Sequence, residues 1–187
     1  MRGQGITGSG LAIGFLVLTL GTTLPATAAE RLRTVSAADI QSYCQRQNKS
    51  AQLVINNAYG WRCTDGKAPN PLNMRQLCQS FPDAPKTKVI ERLANMDDPQ
   101  TGWECWSWET GRVVYGIDET TFSHFCRLLG YKDVSRVSNN AYGWRCTGAN
   151  RADSFSVTQV CHVLSQLPNV VDRVGEFYKP DSWECWY

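Results

Sequence analysis

The sequence has few charged residues and almost no histidine. Only 19% of its 187 residues are charged, the 19 Lys and Arg residues nearly balance the 17 Asp and Glu residues, and there are two histidines. A net charge of +2 without a run of Lys or Arg does not provide the electrostatic footprint of a nucleic-acid-binding protein. With 42% hydrophobic residues, the chain is also too apolar for an extended disordered protein.

No apolar stretch is long enough to cross a bilayer. The best candidate runs from Leu11 to Leu20, ten residues against the ~20 that a membrane helix needs. Arg2 precedes this stretch, and the small residues Ala-Thr-Ala at positions 26–28 follow it. This order is typical of a secretory signal peptide. We therefore predict that residues 1–28 are cleaved, which leaves a secreted protein, extracellular or periplasmic, without a membrane span.

The sequence contains no C-x-x-C pair, the commonest spacing of a zinc site. Its two histidines, His124 and His162, lie in the second half only. We therefore expect no metal and no cofactor. All eight cysteines follow the predicted signal peptide, and in an oxidising compartment an even number indicates disulfides, here four.

Two segments recur in the chain. Residues 56–63 (NNAYGWRC) are repeated letter for letter at residues 139–146, and the tetrapeptide WECW at residue 103 returns at residue 183. Four cysteines recur in step, at offsets of 80 to 83 residues. This pattern predicts a tandem duplication, with copy one at residues 36–107, a connector at residues 108–117 and copy two at residues 118–187.

Each copy is predicted to contain two short amphipathic helices. Apolar residues and a cysteine recur at i, i+3, i+4 and i+7, as in Met74, Leu77, Cys78 and Phe81. Polar residues precede the helices at positions typical of caps: Ser36, Asn73, Asp118 and Ser156. The connecting segments have alternating apolar residues and turn formers, which favours short antiparallel hairpins ending in Trp-x-Cys, although residues 132–138 and 169–177 fit helical spacing equally well. The fold class is thus predicted as disulfide-rich α+β.

Each helical cysteine is followed by a Trp-x-Cys cysteine 19 to 27 positions later. Treating the four units as equivalent favours local disulfides: Cys44–Cys63, Cys78–Cys105, Cys126–Cys146 and Cys161–Cys185. The main alternative pairs Cys63 with Cys78 and Cys44 with Cys105, with the same exchange in copy two.

The candidate binding residues are taken from the repeated segments. In a strand, alternate side chains share a face, so Trp61, Trp103, Trp144 and Trp183 are predicted to pack beside the disulfides. The opposite face would present arginine, glutamate and tryptophan, either as a cross-strand Arg62–Glu104 ion pair or as an aromatic platform for sugars or a protein partner. The candidate ligand contacts are Arg62, Glu104, Trp106, Arg145, Glu184 and Trp186, with Tyr59 and Tyr142 at the turns.

Three functions are compatible with these residues. We favour a secreted, non-enzymatic two-module binding protein whose ligand is an extracellular glycan or cell-surface polymer. The alternative is a disulfide-stapled inhibitor or effector of a secreted or cell-surface protein, with residues 95–102 as its contact loop. A hydrolase that uses Glu104 and Glu184 has less support, because equivalent positions are not expected to have the separated pKa values that acid–base chemistry needs.

Overall fold

A computed structural model describes residues 29–187 except residues 68, 109 and 110. The predicted signal peptide, residues 1–28, lies outside the described residues. Across the part of the chain that is described, no helix combines the length and apolarity needed to cross a membrane.

The described chain folds into short helices and several small antiparallel sheets. The helices are α1 (Ala37–Gln45), α2 (Met74–Gln79), α3 (Glu119–Leu128) and α4 (Val157–Ser165). The strands are β1 (Glu30–Val35), β2 (Ser50–Leu53), β3 (Trp61–Thr64), β4 (Asn70–Pro71), β5 (Val89–Leu93), β6 (Trp103–Ser107), β7 (Arg112–Ile117), β8 (Asp133–Arg136), β9 (Trp144–Thr147), β10 (Ala152–Asp153), β11 (Val171–Val174) and β12 (Trp183–Trp186). The predicted mixed α+β class is therefore confirmed.

Side-chain caps begin three of the four helices. Ser36 and Asp39 form a reciprocal capping box at α1, and the side chains of Asn73 and Asp118 accept hydrogen bonds from the third residue of α2 and α3. The prediction for Ser156 is wrong, because its side chain makes no capping bond at α4. Capping oxygens satisfy backbone N–H groups that have no partner in the first helical turn.

The strands form four three-stranded sheets in the orders β2-β3-β4, β1-β6-β5, β8-β9-β10 and β7-β12-β11. The two segments with ambiguous periodicity contain β8 and β11, so they are strands rather than helices. Both flank a Trp-x-Cys strand in an antiparallel pair. Most of the predicted connector, residues 112–117, is itself strand β7 and pairs with β12.

Four disulfides join helices to Trp-x-Cys strands. They are Cys44–Cys63, Cys78–Cys105, Cys126–Cys146 and Cys161–Cys185, and no cysteine is free. The predicted local pairing is confirmed and the exchanged alternative is wrong. Cα–Cα distances of 5.3 to 5.5 Å lie at the usual separation for a disulfide.

One large hydrophobic core includes residues from both sides of β7. Leu77 on α2, Phe122 on α3, Val160 on α4 and Trp183 on β12 belong to the same buried cluster, and each is at most 1% exposed. We call residues 36–107 the first half and residues 118–187 the second half. Because they share this core, the two halves pack on each other rather than standing apart.

Candidate functional site

The repeated segment NNAYGWRC forms a tight turn that leads into β3 in the first half and β9 in the second. A Cβ on Gly60 would lie 1.8 Å from the carbonyl oxygen of Ile55, and one on Gly143 would lie 2.1 Å from that of Ser138. Only glycine fits such a close backbone approach. This steric requirement accounts for the glycine in both turns.

Both candidate arginines of this segment support the turn. Nη1 of Arg62 donates to the carbonyl oxygens of Tyr59 and Trp61, each at 2.7 Å. Nη1 of Arg145 makes the same pair of bonds with Tyr142 at 2.8 Å and Trp144 at 2.7 Å. The expected cross-strand ion pair between Arg62 and Glu104 is wrong, because β3 and β6 belong to different sheets.

The tryptophans predicted to pack beside the disulfides are mainly interior. Trp103, Trp144 and Trp183 are 7%, 5% and 1% exposed, whereas Trp61 is half-buried. The indole N–H of Trp103 donates to Ala58 O, and that of Trp183 donates to Ala141 O, at 2.7 and 2.9 Å. These two bonds hold the hairpin ends against the turns of the repeated segments.

Glu104 and Glu184 lie in a network of arginines. Glu104 accepts bonds from Arg31 and Arg92 at 3.0 Å and from the indole of Trp106 at 2.9 Å. Burial alone would raise the pKa of Glu104, but these three donors outweigh burial and lower it below its ordinary value of 4.5.

Glu184 has the same surroundings in the second half. It is hydrogen-bonded to Arg112, to Arg173 at 2.9 Å and to the indole of Trp186 at 3.0 Å. Burial again opposes the charge, and the donors again lower the pKa. A general acid at neutral pH needs a raised pKa, so neither carboxylate has the environment of one.

Two arginines link the halves in a reciprocal way. Arg92 bonds to Glu104 of its own half and to Asp172 of the other, and Arg173 bonds to Glu184 of its own half and to Glu91 of the other. Asp172 is also bound by the hydroxyl of Thr158, and Glu91 by Arg75 at 3.0 Å. We call this set the charge network: Arg31, Arg75, Glu91, Arg92, Glu104, Arg112, Thr158, Asp172, Arg173 and Glu184.

Arg92 and Arg173 are charged in spite of their partial burial. Desolvation lowers the pKa of Arg92, but Asp172 and Glu104 outweigh it, and the net shift is upward. The same balance, with Glu91 and Glu184 as the carboxylates, raises the pKa of Arg173. Sequence reasoning missed this interface. The available signal was an acidic–basic pair, Glu-Arg at residue 91 and Asp-Arg at residue 172, at nearly the same distance before each WECW segment.

Trp106 and Trp186 are half-buried beside this network. Together with Trp108 they pack against a small cluster formed by Ala29, Ile90 and Val171. Each of the two donates its indole N–H to a network glutamate. Both tryptophans therefore contribute packing and hydrogen bonds at the junction of the two halves.

The surface has two clefts. Each lies between the NNAYGWRC turn of one half and a loop of the other half. Cleft one has a volume of about 550 Å³, and its walls include Tyr59, Trp61 and Arg62 together with Phe177 and Tyr178 of the β11–β12 loop. Cleft two has a volume of about 680 Å³, and its walls include Tyr142, Trp144 and Arg145 together with Met96 and Asp97 of the β5–β6 loop. The structure therefore brings Tyr59 close to Arg62 and Tyr142 close to Arg145, and it places Glu104, Trp106, Glu184 and Trp186 outside both clefts.

The tyrosines of the clefts are held by neighbouring rings. Tyr59 lies between Phe177 and Trp103, with centroids at 4.7 and 5.3 Å, and Tyr142 lies 5.0 Å from Trp183. The hydroxyl of Tyr142 donates to Leu93 O at 2.9 Å. Burial raises the pKa of both tyrosines, so both are neutral at physiological pH.

The asparagines of the two turns differ in their hydrogen bonds. Oδ1 of Asn140 accepts a bond from the backbone N–H of Tyr142, whereas the buried Oδ1 of Asn57 has no hydrogen-bond partner among the described residues. No cluster of three or more His, Cys, Asp or Glu side chains with metal-binding geometry occurs in residues 29–187 as far as they are described.

No protein-family model, curated protein or solved structure matches this chain.

Proposed function

We propose that this chain is a secreted, non-enzymatic binding protein that arose by tandem duplication and binds an extracellular glycan or cell-surface polymer in its two clefts. The duplicated unit would be a two-helix module, residues 36–107 and residues 118–187. The paired clefts are the observation that carries the proposal. Each combines a tyrosine, a tryptophan and an arginine of the repeated segment with a loop from the opposite half.

The chemistry of the cleft walls suits carbohydrate. Sugar rings expose apolar C–H faces that pack on aromatic rings, and their hydroxyls bond to planar polar groups such as the guanidinium of Arg62 or Arg145. The volumes of about 550 and 680 Å³ lie in the range of pockets that hold small ligands. Two sites on one rigid body would raise avidity for a repetitive polymer.

The proposal assigns different roles to the eight candidate residues. Tyr59, Arg62, Tyr142 and Arg145 form the clefts, while Glu104, Trp106, Glu184 and Trp186 support the junction of the halves from outside them. Four disulfides fit an oxidising compartment, and this supports secretion.

The second candidate function is an inhibitor or effector of another secreted protein. Its support is the β5–β6 loop, residues 94–102, which is closed by backbone bonds from Ala94 and Asn95 to Gly102 O and is partly exposed. A hydrolase that uses Glu104 and Glu184 has less support, since two arginines hold each carboxylate.

The test is a screen of the oxidised protein against neutral and acidic oligosaccharides, followed by mapping of indole N–H resonances by NMR. A glycan bound in the clefts will shift the resonances of Trp61 and Trp144. The indoles of Trp106 and Trp186 are internal controls and will not move. Capture of a secreted protein from culture medium together with an empty glycan screen would favour the inhibitor instead.

A further inference from the structure

The two clefts are built on the same plan but have different rims. Backbone hydrogen bonds show which loop positions of the two halves correspond. Ala58 N donates to Met96 O at 2.9 Å in the first half, and Ala141 N donates to Phe177 O at 2.8 Å in the second. Trp61 and Trp144 likewise donate to Pro99 O and Pro180 O. Met96-Asp97 in one loop therefore occupies the place of Phe177-Tyr178 in the other.

This exchange gives the clefts different surfaces. Tyr178 of the second half lines cleft one and Asp97 of the first half lines cleft two, while Met96 and Phe177 contribute to the walls of both. Tyr178 is 72% exposed and packs edge-on against Phe177 at 4.9 Å, while Phe177 packs on Tyr59 at 4.7 Å. Cleft one thus has a continuous row of rings from the buried Trp103 to the solvent-exposed Tyr178.

We propose that cleft one is the primary sugar site, that it takes a neutral oligosaccharide, and that Tyr178 is the exposed ring on which one sugar residue stacks. The inference rests on the proposed function and narrows it to one cleft and one ligand class. An exposed tyrosine supported from behind by another ring is preorganised for stacking, because little side-chain freedom is lost on binding.

The charged groups in the wall of cleft one already have hydrogen-bond partners within the protein. Glu91 in its wall is already bonded to Arg75 and Arg173, and Arg62 donates to two carbonyl oxygens of its own turn. Nη1 of Arg62 is thus occupied, and the rest of its guanidinium can bond to sugar hydroxyls. A neutral ring with an unbroken C–H face, as in β-linked glucose or N-acetylglucosamine, makes the stacking contact without needing an ion pair.

The wall of cleft two contains rings, Phe155 and Phe177 among them, but its rim has no exposed ring in the place of Tyr178. Asp97 at its rim is an exposed carboxylate, and Met96 replaces the ring that supports Tyr178. A sugar bound there would lose one aromatic contact and gain a charged neighbour. The chain therefore offers its own control, because the equivalent position in the second cleft is occupied by a residue that cannot stack.

The experiment titrates cellohexaose, chitohexaose and hexagalacturonate into the oxidised protein and into Tyr178→Ala, Tyr178→Phe and Asp97→Ala. Affinity is measured by calorimetry, and occupancy is read from the indole resonances of Trp61 for cleft one and Trp144 for cleft two.

Tyr178→Ala is expected to weaken binding of a neutral hexamer in cleft one roughly three- to tenfold, the effect of losing one aromatic contact. Tyr178→Phe is expected to retain the affinity, and Asp97→Ala to leave cleft one unchanged. Thermal unfolding of each variant confirms that it is folded.

Three results would overturn the inference while the proposed function stands: equal affinity of the two clefts for a neutral hexamer, no effect of Tyr178→Ala, or tighter binding of hexagalacturonate than of the neutral probes. A different result separates the two proposals. If none of the three probes shifts either indole and no glycan of the wider screen binds, the proposed function fails and this inference fails with it.

Discussion

The two halves of the molecule repeat the residues that hold the framework and differ in those that face solvent at the clefts. Arg62 and Arg145 each bond to two carbonyls of their own turn, and Glu104 and Glu184 each bind two arginines and an indole. Each of these side chains has several hydrogen-bond partners. Replacing one would leave buried polar groups without partners, which costs more than the bond itself is worth.

The halves differ at one position of the charge network and at the rims of the clefts. Arg75 bonds to Glu91 in the first half, and Thr158 bonds to Asp172 at the corresponding place in the second. Exposed Tyr178 in one loop corresponds to exposed Asp97 in the other. The comparison teaches that the framework restricts the interior of both clefts but leaves their rims free to differ, so a difference in ligand is expected from the rims.

The largest expected effect comes from removing a single disulfide, in one variant from the first half and in another from the second half. The variants Cys78→Ala/Cys105→Ala and Cys161→Ala/Cys185→Ala should each lose about 3.5 kcal/mol of unfolding free energy, because loops of 27 and 24 residues are released in the unfolded chain. Urea denaturation without reductant measures both. Losses that differ by more than the error of the extrapolation would show that the two halves are not equivalent supports of the core.

The reciprocal arginines come next. Arg92→Met leaves Asp172 without a cation and Glu104 with Arg31 alone, and it is expected to cost about 3 kcal/mol, the low end for a buried pair because the arginine is partly exposed. Arg173→Met should cost less, because Glu91 keeps Arg75 and Glu184 keeps Arg112. The control Arg31→Met, at a side chain that is 57% exposed, should cost at most about 1 kcal/mol. A small loss for Arg92→Met beside a large one for Arg173→Met would contradict this assignment of ion pairs.

A smaller effect concerns acid stability. The pKa values of Glu104 and Glu184 are lower in the folded protein than their ordinary value of 4.5. Both carboxylates therefore stabilise the fold fully above pH 4.5, and this stabilisation is lost as the pH falls through their pKa values in the folded state. Glu104→Gln and Glu184→Gln should destabilise the protein at pH 7, and their difference from the parent should shrink as the pH falls below 4.5. Unfolding curves over this range measure it. A difference that persists unchanged in acid would mean that the carboxylate charge is not the cause.

The smallest effect separates the two helix caps. Asn73→Ala removes a side-chain bond to the N–H of Gln76 and should cost about 1 kcal/mol. Ser156→Ala, at the equivalent position of α4, removes no capping bond and should change stability by a few tenths of a kcal/mol. Parallel thermal unfolding of the two variants tests the contrast, and equal losses would contradict it.

Local features of the fold could be predicted because short-range patterns encode them. The pairing of Cys44 with Cys63 follows from the equivalence of the four helix-to-Trp-x-Cys units, and the cap of α1 follows from Ser36 and Asp39 three residues apart. The Ser156 cap failed because sequence spacing fixes where an oxygen is available and not its rotamer. Glu104 was a predicted ligand contact, but the arginines that bind it could not be predicted from the sequence.

The sequence by itself determined the local architecture: four helical cysteines, four tryptophan-bearing strands and their disulfides. Only the tertiary structure decided that Arg92 meets Asp172, that residues 112–117 join a sheet, and that Tyr178 of one half lines a cleft of the other. The physical reason is range. Helical periodicity, capping and turn geometry act over a few neighbouring residues, whereas contacts between groups some 80 residues apart depend on how the finished elements pack into one core.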